Sequence, residues 1–294
     1  MTKLKAVFNE MRVWQWSKNA LVFAPLIFGA KLFELNPLVD TVLVFFAMSF
    51  AASTAYVFND LFDIEDDKKH PVKKKRPLAS GALSVRQGKA LIATSLVLAI
   101  GLSLLVSVQV LALVILYLVF NLLYSKILKH KAILDILIVA FFYIYRVYLG
   151  AVATDLHVSG WILLTTFLLA LFMITGKRRA ELVTAAKSGQ NASRKVLGLY
   201  NQKFLDAALT ITITLFVMFY SLYSVLVQDG LFILTIFPVI YISLRYLYLI
   251  FVRNEGEEPE KLIFKDREIF TAGILLCALI VVALYTNNMD IIKL

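Results

Sequence analysis

The sequence predicts an all-α, polytopic membrane protein built as one domain over residues 1–294, and three observations predict it. Hydrophobic residues make up 60% of the chain, with 22 Phe, 13 Tyr and only 17% charged residues. Aqueous domains lie nearer half apolar and a quarter charged. The apolar residues gather into nine runs close to the 20 or so that a helix needs to cross hydrocarbon. Lys and Arg then alternate between successive connections, as membrane topology demands.

The nine spans fall at 19–36, 39–62, 87–107, 109–127, 132–153, 160–177, 204–227, 231–252 and 269–287. Only Ser107 and its neighbours separate the third from the fourth, which predicts a tight helical hairpin. Gly101 and Pro238, inside spans, point to close packing or a kink. Cys277 is the single cysteine; it excludes a disulfide framework within the chain and reads as a small buried hydrophobe. The first 20 residues are amphipathic and charged, unlike a cleavable signal peptide. No soluble domain and no short internal repeat is evident.

Residues 1–18 carry four Lys/Arg, 61–86 seven, 126–131 three, 177–203 seven and 253–267 four. The opposite connections and tail hold only Lys31 and Lys293, and Lys89, Arg146 and Arg245 lie within spans. This bias predicts a cytoplasmic N-terminus and, with nine spans, an external C-terminus. The net charge of +10 therefore describes a cytoplasmic face suited to anionic headgroups and phosphates. Nucleic-acid binding is a poor fit, because no soluble module organises that charge.

The second span ends in Asn59-Asp60-Leu61-Phe62-Asp63-Ile64-Glu65-Asp66-Asp67. On a continuous helix, positions 60, 63 and 67 fall within an arc of roughly 60°. Three aspartates on one stripe repel one another unless a cation sits between them. Hard divalent cations such as Mg²⁺ take oxygen ligands and usually combine one or two carboxylates with substrate phosphates. Asp60, Asp63 and Asp67 suit that role, with Asn59 as a neutral ligand or hydrogen-bond donor. The alternative is a solvated helix end paired with nearby lysines. Glu65 and Asp66 point to other faces. His70-Pro71 ends the helix, and Pro77 and Gly81 shape the loop that follows. Arg76, held extended by Pro77, is either a phosphate clamp or one more inside-orientation charge.

The run YVFNDLFDIEDDKKHPVKKKRPLASG resembles the first aspartate-rich motif of the UbiA-type intramembrane prenyltransferase superfamily. The resemblance implies nine helices around a central cavity, with Asn59, Asp60, Asp63 and Asp67 binding Mg²⁺ and a diphosphate. A second acidic motif commonly follows the sixth span in that superfamily. Here Lys177, Arg178 and Arg179 stand in its place, either as phosphate ligands or as a topology signal. That departure, with VWQWSKNALVFAPL, YSKILKHKAILDI, YIYRVYLGA and PEKLIFKDREIF, is similar to the polyprenyl-phosphate phosphoribosyltransferase branch. The branch implies transfer of 5-phosphoribose from phosphoribosyl pyrophosphate to a polyprenyl phosphate, with release of pyrophosphate. It also implies a cell-membrane protein whose active site faces the cytoplasm; no oligomeric state follows from it. The lipid phosphate is already an anion, so no general base is needed, and His130 and His157 read as interface residues.

Four further residues are candidate substrate ligands. Lys18, after Trp14 and Trp16, lies at the inner start of the first span, where the tryptophans read as an interfacial belt. Tyr124 and Lys126 end the fourth span at the same depth, and Asp135 is placed to orient Lys126 or another cation. Arg146 lies roughly 20 Å into the fifth span, where a charge must face a polar cavity or a partner. Two other functions compete: a prenyltransferase using a prenyl diphosphate and an aromatic acceptor, and a lipid-phosphate transporter, which gives the acidic stripe no clear use.

Overall fold

The computed structural model describes residues 2–69, 73–188, 195–228, 230–253, 255–256, 262 and 264–287, so the expected helix stop at His70-Pro71 lies outside the described residues. Among the described residues there is no strand. Eight helical segments among the described residues are long and apolar enough to cross a membrane: Leu35–Phe62, Val85–Val106, Val108–His130, Leu134–Thr154, Gly160–Lys187, Gln202–Val227, Gly230–Phe251 and Arg267–Tyr285. They correspond to the second through ninth expected spans.

The first expected span, 19–36, takes a different form. After α1 (Lys3–Glu10), Arg12 adopts the left-handed conformation at φ 52° and turns the chain into a 3₁₀ helix, Val13–Phe23, followed by the short α2 (Ala24–Phe28). Pro25 lacks the N–H that would continue one ladder of α-helical bonds through the junction. Side chains also bind the segment to its neighbour: Trp16 Nε1 donates to Ser53 Oγ at 3.1 Å, and Asn19 Nδ2 donates to Ser49 Oγ at 3.0 Å. The combined rise is about 30 Å, because a 3₁₀ helix climbs faster per residue. It matches the hydrocarbon thickness in length without being one long α-helix.

The chain divides into two compact units, Met1–Ile127 with Arg146–His157, and Leu128–Tyr145 with Val158–Leu294. In the first, α3 (Leu35–Phe62) packs against α5 (Val85–Val106), α6 (Val108–Lys126) and the 3₁₀ helix. Its buried run of Ala47, Ser49, Ala51, Ala52, Ser53 and Ala55 explains the close approach, since small residues let helix backbones meet in an apolar solvent. α5 and α6 form the expected hairpin around Ser107, which is extended and accepts a bond from Val110 N–H at 3.2 Å. Val97, Leu105, Val108 and Val119 point outward from it. A short helix, α4 (Ile64–Lys69), follows α3.

Gly101 does not serve close packing: a Cβ there would meet nothing within 4 Å. Gly150 does. It lies in the part of α7 (Leu134–Thr154) that belongs to this unit, and a Cβ would come within 2.0 Å of the Val22 carbonyl oxygen. In the second unit, α8 (Gly160–Ser188) packs on α9 (Gln202–Tyr223), and α10 (Ile236–Phe251) packs on α9 and α11 (Arg267–Asn287). α8 runs well past the expected end at 177, because Ala180-Glu181-Leu182 carries no helix breaker. Pro238 sits in the first turn of α10, just after a 3₁₀ turn at Gly230–Thr235, where its missing N–H costs no helical bond. Cys277 is exposed, not buried as expected, because it falls on the outward face of α11.

Gly150→Ala should destabilise the protein by about 1–3 kcal/mol through overpacking, read as a lower thermal midpoint in detergent. Gly101→Ala should be neutral or slightly stabilising by helix propensity. Equal effects of the two substitutions would contradict this packing.

Candidate active site

The acidic motif bends where the helix ends. Asp63 closes α3 at φ −94°, ψ 12°, and α4 begins at Ile64. Two bonds of helical spacing carry the chain across the break, Asp63 N–H to Asn59 O and Asp67 N–H to Asp63 O, both 2.9 Å. Positions 60 and 67, separated by nearly two full turns, therefore stay on one side. Both carboxylates are buried, at 2% exposure.

Two arginines neutralise them. Arg76 Nη1 donates to Asp60 Oδ1 at 2.9 Å and to Asp67 Oδ2 at 2.6 Å, so a single nitrogen bridges the pair. Arg12 Nη2 donates to both oxygens of Asp60 at 2.8 Å, and its guanidinium lies 4.8 Å above the Tyr56 ring. Lys73 Nζ stands 4.0 Å from Asp67. Asp63 is half-buried and accepts a bond from Asn59 Nδ2 at 3.1 Å. Among the described residues, no group of three His, Cys, Asp or Glu side chains is placed to hold a metal ion. Of the three aspartates expected from the sequence, Asp60 and Asp67 converge on Arg76, and Asp63 is bonded to Asn59 at the end of α3. Two carboxylates supplemented by phosphate oxygens still suit a hard divalent cation.

Glu10, at the end of α1, is buried beside this cluster. Its Oε2 accepts the Leu78 N–H at 3.3 Å, while Oε1 has no hydrogen-bond partner among the described residues. Burial, and then the charge of Asp60, pushes the Glu10 carboxyl up to about 7.

Arg146 occupies the same unit, at 4% exposure. It donates from Nε to Asn19 Oδ1 at 2.7 Å and from Nη2 to Tyr117 OH at 3.2 Å. Both oxygens belong to uncharged groups and solvate the guanidinium. Tyr117 also lies within electrostatic reach of Lys18 and of Tyr56, the ring under Arg12. Lys126 Nζ lies 5.6 Å from the Phe62 ring at the end of α3. Tyr124 is half-buried two residues earlier, on the same helix. The structure thus gathers Lys18, Asn59, Asp60, Asp63, Asp67, Arg76, Tyr124, Lys126 and Arg146 in one unit.

Lys177, Arg178 and Arg179 belong to the other unit, on α8. Arg178 donates to Asp135 Oδ2 at 2.7 Å and to Glu181 Oε2 at 3.0 Å. Asp135 also accepts from Tyr200 OH at 2.6 Å, and that hydroxyl in turn accepts the Ile133 N–H at 2.6 Å. Burial and the bond to Asp135 hold the Tyr200 phenol well above its ordinary range. Arg179 donates to Asp206 at 2.5 Å and to the Ile250 carbonyl at 3.0 Å, with its guanidinium 4.6 Å from the Phe251 ring. Both arginines are therefore committed to internal partners, and Arg178 is the cation that Asp135 orients. Lys177 is half-buried.

Arg12, Glu10, Asn19 and Tyr117 were not legible as site residues. Arg12 lies 48 positions from Asp60, and Asn19 lies 127 positions from Arg146. No local spacing announces either pair.

Residues 21–272 match the model of the UbiA prenyltransferase family, and the chain belongs to that family. Among its relatives, decaprenyl-phosphate phosphoribosyltransferase of Corynebacterium glutamicum is 36% identical over 222 residues, covering 74% of this chain and 67% of the relative. The decaprenyl-phosphate phosphoribosyltransferase of Mycobacterium tuberculosis is 33% identical over 274 residues, covering 89% and 88%. The fold is similar to a UbiA homolog from Archaeoglobus fulgidus bound to GPP and Mg²⁺, with a TM-score of 0.70 at 17% identity over 96% of this chain and 98% of that one.

Glu10 gives the site a pH signature. Between pH 4.5 and about 7 the folded protein holds one proton more than the unfolded chain, so stability falls as pH rises through that window. Glu10→Gln should remove this loss. Its thermal midpoint should match wild type near pH 4.5 and exceed it from pH 7 upward; a constant offset would contradict the assignment.

Proposed function

We propose that this protein is a membrane phosphoribosyltransferase, moving 5-phosphoribose from phosphoribosyl pyrophosphate to a polyprenyl phosphate and releasing pyrophosphate. The observation that carries the reading is the similarity to decaprenyl-phosphate phosphoribosyltransferase along nearly the whole of both chains. The site supports it through its balance of charge. Two buried carboxylates stand among Arg12, Arg76, Lys18 and Arg146, a set rich in cations and matched to a donor and an acceptor that both carry phosphate.

In this reading Asp60 and Asp67 hold a divalent cation, Mg²⁺, with Asn59 and Asp63 beside them. Bound there, the cation offsets the negative charge that grows on the departing diphosphate. Arg76 and Lys126 contact phosphate oxygens at the mouth of the site, with Tyr124 beside them, and Lys18 and Arg146 do so deeper in the unit. In the other unit Lys177 is a candidate phosphate ligand, while Arg178 and Arg179 hold α8 in place. A phosphate oxygen of the lipid attacks the anomeric carbon of ribose as the bond to pyrophosphate breaks. No proton has to be removed from that oxygen, so the reaction needs no general base. The N-terminus and the acidic motif face the cytoplasm of the cell membrane, on the side where Lys and Arg concentrate.

The purified protein is incubated with phosphoribosyl pyrophosphate labelled in the ribose, Mg²⁺ and a polyprenyl phosphate, then extracted into organic solvent. Mg²⁺-dependent transfer of label to the lipid is expected. Activity only with a prenyl diphosphate and an aromatic acceptor would overturn the reading in favour of prenyl transfer. Asp67→Asn should lower transfer about 100-fold or more. Arg146→Leu should leave a folded protein without transfer activity; full activity would remove Arg146 from the site.

A further inference from the structure

Resting on that reading of Asp60 and Asp67, we infer that the divalent cation enters only together with its diphosphate, and that Arg76 is the exchangeable counter-ion enforcing the order.

The argument begins with charge. The carboxylates of Asp60 and Asp67 are matched by the guanidinium groups of Arg12 and Arg76, and Lys73 adds a further positive charge at 4.0 Å. Asp60, Asp63 and Asp67 together balance Arg12, Arg76 and Lys73, so the cluster is close to neutral as it stands, with Glu10 a further buried acid beside it. A bare dication arriving there meets acids that are already satisfied, and adds two positive charges to a buried site. A cation carrying a diphosphate brings an excess of negative charge and offers Arg76 new oxygens as good as the ones it leaves.

Geometry identifies which arginine gives way. Arg12 is fixed at three points: two bonds to Asp60, the Tyr56 ring beneath it and a left-handed backbone that aims it. Arg76 holds both acids through the single atom Nη1, which lies between the two oxygens a shared cation needs. Its side chain is also the more exposed, 28% against 19%. It follows a short 3₁₀ turn, Lys73–Lys75, and does not lie within a long helix. Arg76 can therefore swing from carboxylate to phosphate while Arg12 keeps Asp60 oriented. By linkage, the diphosphate strengthens cation binding by the same factor as the cation strengthens diphosphate binding.

The test compares Mn²⁺ alone with a preformed Mn²⁺–pyrophosphate complex, by electron paramagnetic resonance and calorimetry on the detergent-purified full chain. Wild type should bind Mn²⁺ alone about tenfold or more weakly than the complex. Arg76→Gln should reverse the order, binding Mn²⁺ alone about tenfold more tightly than wild type and the complex more weakly. A merely structural role for Arg76 would not move the two affinities in opposite directions. Equal affinity of wild type for Mn²⁺ alone and for the complex overturns the inference, and decides it even if Arg76→Gln does not fold. Failure of both proteins to bind Mn²⁺ in either form overturns the metal reading of the two aspartates as well. Loss of phosphoribosyl transfer with the affinity pattern intact counts against the proposed reaction alone.

Discussion

Asp60 is a carboxylate with almost no access to water, paired with two arginines, and much of the architecture of its unit follows from that pairing. Removing such a group from water costs several kcal/mol, which only paired charge and hydrogen bonds offset. Arg12 comes from the N-terminal segment and Arg76 from the connection after α4, so both segments are tied to the end of α3. Ser53 and Ser49 reinforce the tie about two and three turns deeper. The 3₁₀ helix is the form in which that N-terminal segment reaches α3 along its length.

The second unit solves the same problem with different residues. Arg178 and Arg179 are as buried as Asp60, and each has a carboxylate of its own from another part of the unit. The Tyr200–Asp135–Arg178 chain ties α7, α8 and the segment before α9 together. Its hydroxyl satisfies the Ile133 N–H, where the backbone enters α7 from a left-handed turn at φ 68°. Arg146 is held by the amide oxygen of Asn19 and the phenol of Tyr117, whose ring also lies 5.5 Å from its guanidinium.

Sequence and structure agree most closely where the cause is local. Positions 60 and 67 share a face because they are nearly two turns apart, and the structure keeps them together even though Asp63 breaks the helix between them. The hairpin at Ser107 follows from two apolar runs with no room for a loop. Disagreement appears where a distant partner decides. Residues 19–36 read as a plain span, but the chain there enters from a 3₁₀ helix, Val13–Phe23, that is hydrogen-bonded to α3 and gives way to the short α2. Arg178 and Arg179 look like open phosphate ligands only while Asp135, Glu181 and Asp206 are out of view.

By itself the sequence determined the membrane class, eight of the spans, the family resemblance and the acidic motif. All of these are carried by runs and spacings of a few residues to a few tens. Only the tertiary structure decided which cation meets which acid, because Arg12 with Asp60, Arg146 with Asn19 and Arg178 with Asp135 are joined across 48, 127 and 43 positions. Charge neutralisation in a buried site acts through space, and linear spacing holds no record of it. Hence only the folded chain shows that two members of the acidic stripe, Asp60 and Asp67, are bridged by Arg76.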